Sequence, residues 1–172
     1  MNHKTMWLLW VVLILSTNRV GAKGLDVAFI DPVWDGNIVP EGQQCQKFGG
    51  SAESPRLRVS SIPQAANALI VEFSDRTYTP MDNGGHGKFG FQIENGIAEA
   101  VIPSVPAHTK VLPPGFWTVQ EHSAPSWDKP GVYLPPCSGG NYNEYYLTVK
   151  AVDKKGDRFR VLEETSLEMG IY

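Results

Sequence analysis

The chain has 172 residues, 42% of them apolar, with 13 prolines, 17 glycines, 2 cysteines and a formal charge of −3. That length suits one domain with its own hydrophobic core. The acidic balance, with no basic stretch to offset it, argues against a general nucleic-acid binder.

The opening "MNHKTMWLLWVVLILSTNRVGAKG" reads as a secretory signal. Lys4 supplies a positive start, and the apolar run Met6–Leu15 is too short to span a bilayer comfortably. Val20, Gly21 and Ala22 offer small residues at a cleavage site. The expected division is a signal peptide over 1–22 and a single domain over 23–172, with a membrane anchor as the competing reading. No cysteine follows the run closely, which argues against a lipoprotein anchor. Loss of Lys4 and Arg19 with the leader takes the charge from −3 to −5. Export predicts a secreted or periplasmic protein with no stable membrane insertion after cleavage.

The remaining elements read as short strands between turn signals, with no long amphipathic helix. Cys45 and Cys137 are the two cysteines, and in an exported chain an even, low count predicts one disulfide; two buried free thiols are the alternative. Such a bond would close a loop of about 90 residues and contribute roughly 4 kcal/mol. "ALIVEF", Ala68 to Phe73, reads as a buried strand. "KFGFQIENG" alternates Phe89, Phe91 and Ile93 on one face and stops at Asn95-Gly96. The segment from Val105 to Asn141 is rich in Pro, Gly and Trp and reads as a long ordered loop with short β pieces. "YYLTVKAVD" alternates Tyr145, Leu147, Val149 and Ala151. "RFRVLEE" and "SLEMGIY" follow as further strands, the last with Leu167, Met169 and Ile171 alternating. The expectation is an all-β domain, monomeric or weakly dimeric.

"GHGKFG", Gly85 to Gly90, matches the dinucleotide pattern G-x-G-x-x-G. That pattern needs a helix after it, because the helix N-terminus receives the pyrophosphate. Here a strand pattern follows, so the glycines read as a turn entering a strand.

Several stretches together resemble the phosphatidylethanolamine-binding protein family, in its bacterial Raf-kinase-inhibitor-like branch. They are "VWDGNIVPEGQQC", "SPRLRVSSIPQAANALIVEFSD", "VLPPGF", "GVYLPPCSGGNYNEYYLTVKAVD" and "TSLEMGIY", in the family's order over residues 33 to 172. The resemblance implies a β-sandwich with few short helices and a small cavity for anions such as phosphorylated headgroups. It also places both cysteines at family positions. Asp75 falls at the second aspartate of the family's Asp loop, where Phe73 replaces the first. The strand histidine falls at His86 or Lys88. Asn143 stands where the family has His, Glu144 where it has Arg, and Tyr145 where it has Tyr; Pro136 precedes Cys137 in the cavity-lining segment. An Arg-to-Glu change removes a donor fork and adds negative charge, which suits a neutral or cationic ligand better than phosphate.

The expected ligand-binding set is therefore Asp75, His86, Lys88, Pro136, Asn143, Glu144 and Tyr145, with the glycines bringing His86 to the cavity rim. Each has a plainer reading: His86 as a solvated turn residue, Asp75 as a turn cap or partner of Arg76, Glu144 as a surface strand charge. His108 and His122 fall in no H-E-x-x-H or related spacing and make no metal triad, and no G-x-S-x-G elbow is present. The predicted function is a non-catalytic binding module without cofactor or metal, for a small polar or anionic ligand, a lipid headgroup among them, or a protein partner. The alternative is a secreted hydrolase using Asp75, His86 and Glu144 as acid–base groups.

Overall fold

The run Ala68–Asp75 is apolar at consecutive positions because both of its faces are covered. Leu69, Val71 and Phe73 join the main core, while Ala68 and Ile70 form a second cluster with Val152 under Trp117 and Val119. Its β-branched and aromatic side chains favour a pleated backbone. The computed structural model describes residues 24–50, 53–124, 126 and 128–172. The signal sequence read over residues 1–22 lies outside them.

The described strands are β1 (Asp26–Phe29), β2 (Leu57–Ser60), β3 (Ala68–Asp75), β4 (Lys88–Gln92), β5 (Glu99–Ile102), β6 (Phe116–Gln120), β7 (Glu144–Lys155) and β8 (Arg158–Ile171). Two one-turn 3₁₀ helices, Gln46–Phe48 and Thr79–Met81, are the helical pieces among the described residues. The strands form two sheets, β1-β2-β5 and β6-β4-β3-β7-β8, and every strand pairing is antiparallel. Leu57, Val59 and Ile102 of the small sheet share one core with Leu69, Val71, Phe73, Phe89, Leu147 and Val149 of the large one. The fold is all-β, as expected. Among the described residues no helix is long and apolar enough to cross a membrane.

The predicted alternations hold in β4 and β7. Phe89 and Ile93 are buried with Phe91 packed beside them, and Tyr145, Leu147, Val149 and Ala151 all face the core. The last two predicted strands are instead one continuous β8 of 14 residues. Its pairing with β7 skips a residue twice. Ala151 faces Glu163 but Val152 faces Val161, leaving Leu162 over; Tyr146 faces Glu168 but Tyr145 faces Gly170, leaving Met169 over. Each extra residue breaks the period-2 phase. Met169 is therefore buried, while Ile171 is 37% exposed instead of sharing its face.

The Pro-rich segment is more deeply built in than a loop. It contributes β6 and the triplet Val132, Tyr133 and Leu134, all fully buried. Its main chain is pinned by Val132 N donating to Thr109 O (2.9 Å) and Leu134 N donating to His86 O (2.9 Å). The Tyr133 hydroxyl, by contrast, is buried without a hydrogen-bond partner. Burial pushes its pKa well above the ordinary tyrosine value. An unsatisfied buried hydroxyl costs free energy that a phenyl ring does not. Tyr133→Phe is therefore expected to leave urea stability unchanged or raise it by about 1 kcal/mol. A loss above about 1 kcal/mol would mean the hydroxyl has a partner.

Candidate functional site

β3 and β7 run side by side, so Asp75 at the end of one lies across from Tyr145 at the start of the other. Asp75 is buried and caps the turn that leaves β3. Its Oδ1 accepts from Thr77 N (2.9 Å) and Tyr78 N (3.1 Å), and its Oδ2 accepts from Asn143 Nδ2 (2.5 Å). Asn143 is held in turn by paired backbone hydrogen bonds with Tyr172.

His86 arrives from the other side of Asp75. Its backbone N donates to Phe73 O (3.0 Å) and its carbonyl accepts from Leu134 N, so the residue bridges β3 and the 132–134 triplet. This close threading explains the glycines. A Cβ on Gly87, whose φ is +108°, would lie 1.7 Å from Val132 O; one on Gly85 would lie 2.3 Å from Met81 Cα. Gly90 leaves the space that the Trp117 ring fills. The motif is a packing device around His86.

The His86 ring is buried and stands edge-on to Tyr145, with ring centres 5.3 Å apart. Its Nδ1 lies 2.9 Å from the Leu134 carbonyl, which can only accept, so Nδ1 carries the proton and Nε2 the lone pair. The Tyr145 hydroxyl accepts from Cys137 N (3.1 Å). These groups surround a cavity of about 280 Å³, which Lys47, Phe48, Tyr78, Met81, Cys137 and Ser138 complete. The Cys45–Cys137 disulfide, Cα–Cα 5.2 Å, carries the Lys47–Phe48 side of the cavity to the Ser138 side. Phe48 then packs over Gly139, where a Cβ would lie 2.7 Å from its ring.

A crystal structure from Chlamydia trachomatis, CT736, a proposed phosphatidylethanolamine-binding protein homologue, superimposes with a TM-score of 0.52. The match covers 87% of this chain and 97% of that one at 19% identity. The fold is phosphatidylethanolamine-binding-protein-like. No family model matches the sequence, and no curated protein does.

Within this phosphatidylethanolamine-binding-protein-like fold, four of the expected site residues meet at the cavity: Asp75, His86, Asn143 and Tyr145. Pro136 sits behind it, packed with His86 and Tyr145, and its carbonyl accepts from Cys45 N. Lys88 and Glu144 lie elsewhere. Phe89 faces the core, so Lys88 faces outward, 3.7 Å from Glu72. Likewise Tyr145 faces in and Glu144 out, 3.3 Å from Arg76, which also pairs with Glu168 at 2.7 Å. Strand alternation forbids neighbours from sharing a face. Of the two plainer readings of Asp75, the turn cap holds and the Arg76 pair does not. His86 is buried against the cavity, not solvated.

Sequence reasoning missed Lys47, Phe48, Tyr78, Met81 and Ser138. Lys47 and Ser138 each sit within two residues of a disulfide cysteine, a signal that could have found them. Tyr78 belongs to the turn that Asp75 caps, and Met81 to the one-turn helix that follows it.

Burial lowers the His86 pKa to about 4, against smaller upward pulls from the Leu134 carbonyl and Asp75. The ring is therefore neutral near pH 7 and offers an acceptor. Tyr145 is pushed up to about 12 by burial and keeps its proton. Because the His86 pKa is lower folded than unfolded, the unfolded chain binds a proton first on acidification. The stability this group supports is present above pH 6.5 and is lost as the pH falls toward 4. The expected loss is about 3 kcal/mol, from 1.36 kcal/mol per pKa unit. Urea unfolding at pH 7 and pH 4 should show a drop smaller by about that amount in His86→Gln than in wild type. Equal drops would mean His86 is not held neutral.

Proposed function

We propose that the chain is an exported, non-catalytic binding protein of the Raf-kinase-inhibitor-like branch, and that the Asp75–His86–Asn143–Tyr145 cavity takes a small polar ligand. The observation that carries this reading is the convergence of two buried titratable groups, an amide and a phenol on one open cavity. Titratable groups that converge on a cavity with strongly shifted protonation are a common mark of a functional site. The cavity volume of about 280 Å³ sits at the lower end for ligand sites, which suits a headgroup-sized molecule and not a whole lipid. Lys47 at the wall suits an anionic group on the ligand, while Asp75 and the His86 Nε2 lone pair suit its hydrogen-bond donors. A phosphorylated amino headgroup combines both features. The CT736 homologue and the sequence motifs support the same class.

The hydrolase reading loses its third member, since Glu144 is bound to Arg76 outside the cavity. Asp75 Oδ1 is held by two backbone donors and Oδ2 by Asn143 alone, which fixes the carboxylate in place and leaves Oδ2 an acceptor position.

Isothermal titration with phosphate, acetate and phosphoethanolamine tests the proposal. Saturable one-to-one heat is expected for at least one of them, strongest for phosphoethanolamine. Asn143→Ala and Lys47→Ala should each weaken it about tenfold, the worth of one hydrogen bond or charge contact. No saturable heat with any of the three, or affinities unchanged in both variants, overturns it.

A further inference from the structure

A second cluster of reactive groups lies behind the cavity, around the disulfide. Cys45 Sγ, Cys137 Sγ and a carboxylate oxygen of Asp128 all lie within 4.8 Å of one another. Asp128 is nearly fully buried, its side chain 5% exposed. Its Oδ1 accepts from Lys129 N at 2.7 Å. Its Oδ2 instead faces Cys137 Sγ at 3.6 Å, and a disulfide sulfur has no proton to donate. Beside it stands His108, with a side chain 8% exposed. His108 Nε2 accepts from Gln46 N, so Nδ1 bears the proton, and it lies 3.5 Å from Asp128 Oδ1 without a hydrogen-bond partner. A buried carboxylate oxygen aimed at sulfur and an unpartnered buried imidazole N–H are costly features. The carboxylate oxygen gains a partner if a cation sits between the sulfurs and Oδ2.

We propose that reduction of Cys45–Cys137 creates a site for a thiophilic divalent cation of the Zn²⁺ class, with Cys45, Cys137 and Asp128 as ligands and His108 as a positioning residue. The reductant is a dithiol. It gives two electrons and two protons to the disulfide and becomes a disulfide itself. Metal binding then releases the two thiol protons to solvent. A tetrahedral zinc site needs its ligand atoms about 3.3–3.8 Å apart, which follows from bonds of about 2.0–2.3 Å. The three ligand atoms already lie within 4.8 Å of one another, and reduction frees the sulfurs to separate. Nδ1–H of His108 faces Asp128 Oδ1 at 3.5 Å, so a small closing movement in the loaded site would let it donate there and hold Oδ2 on the metal, the role outer partners commonly play. A fourth position stays open for water, and Cys137 borders the ligand cavity, so that cavity is the route of entry. Cys45 lies 92 positions before Cys137 and Asp128 nine before it, so no short ligand-spacing motif announces the site.

The test uses Co²⁺ as the probe on the full mature chain, reduced with dithiothreitol and desalted under nitrogen. A thiolate-to-cobalt charge-transfer band at one equivalent is expected, absent from the oxidised protein. Asp128→Asn should weaken Co²⁺ binding about 100-fold and His108→Phe about tenfold, as loss of supporting groups does elsewhere. Circular dichroism and urea unfolding should show Co²⁺ restoring stability lost on reduction. No band in the reduced wild type overturns the proposal. So does a band that Asp128→Asn leaves at full affinity, because thiols of an unfolded chain would not need Asp128. Unfolding on reduction that the metal fails to reverse overturns it as well.

Discussion

Replacing Cys45 and Cys137 together by serine is expected to cost about 4–5 kcal/mol of unfolding free energy. The estimate follows from the loop-closure entropy of a cross-link spanning a sequence separation of 92 residues. The bond closes the chain over β2 to β6, so without it the unfolded ensemble gains the freedom of more than half the domain. For a domain of this size the midpoint of thermal unfolding should fall by about 10–20 °C. Metal-free buffer with a chelator keeps the measurement separate from any cation effect. The two cysteines also tie the Lys47–Phe48 wall to Ser138, so the variant should bind cavity ligands more weakly as well as unfold more easily. A loss under about 1 kcal/mol would show that the bond constrains little, or that the reduced chain keeps structure that the entropy model ignores.

The second large effect is expected at Gly87. An alanine there needs a backbone with φ +108° and places its methyl 1.7 Å from the Val132 carbonyl oxygen. The positive φ costs about 1–3 kcal/mol. Moving the 132–134 main chain to relieve the clash costs about 1–3 kcal/mol more. Gly87→Ala should therefore destabilise by about 4 kcal/mol. The displaced segment includes the Leu134 carbonyl that fixes the His86 tautomer. Chemical denaturation gives the stability, and the His86 ring nitrogen shifts report whether Nε2 still carries the lone pair. A change below about 1 kcal/mol would mean the loop yields freely and the glycine is only a turn residue. In contrast, Gly96→Ala also has a positive φ (+78°), but its Cβ would meet only the Gln64 side chain at 4.0 Å. It should lose only the conformational part, about 1 kcal/mol, which makes it the control.

How much of this was legible in the sequence follows from strand length and phase. β3, β4 and β7 were readable because five to twelve residues of alternation or continuous apolarity leave little choice. β1, β2 and β5 have four residues each, too few for a period to show. The bulges at Leu162 and Met169 were invisible, because the extra residue is defined only by what β7 places opposite. The triplet Val132, Tyr133 and Leu134 was hidden among prolines, though three consecutive apolar residues there mark a buried segment.

The site divides in the same way. Asp75, His86, Asn143 and Tyr145 came from the family resemblance, and the fold brings them to one cavity. Lys88 and Glu144 were separable by phase alone. Each neighbours a core aromatic, Phe89 or Tyr145, and so must face away. The Asp128–His108 contact was not readable, since 20 positions separate them and no motif links them.

The Asp75–His86–Asn143–Tyr145 cavity is proposed to bind a small polar ligand. Its most direct test is a ¹H–¹⁵N correlation titration of the mature oxidised protein with phosphoethanolamine. Saturable shifts concentrated on Asp75, Gly85 to Gly87, Ser138, Asn143 and Tyr145 are expected, together with a change at His86 Nε2. Shifts that are absent at saturating ligand, or that gather on the outer-face groove of Trp117, Lys154 and Phe159, would contradict it.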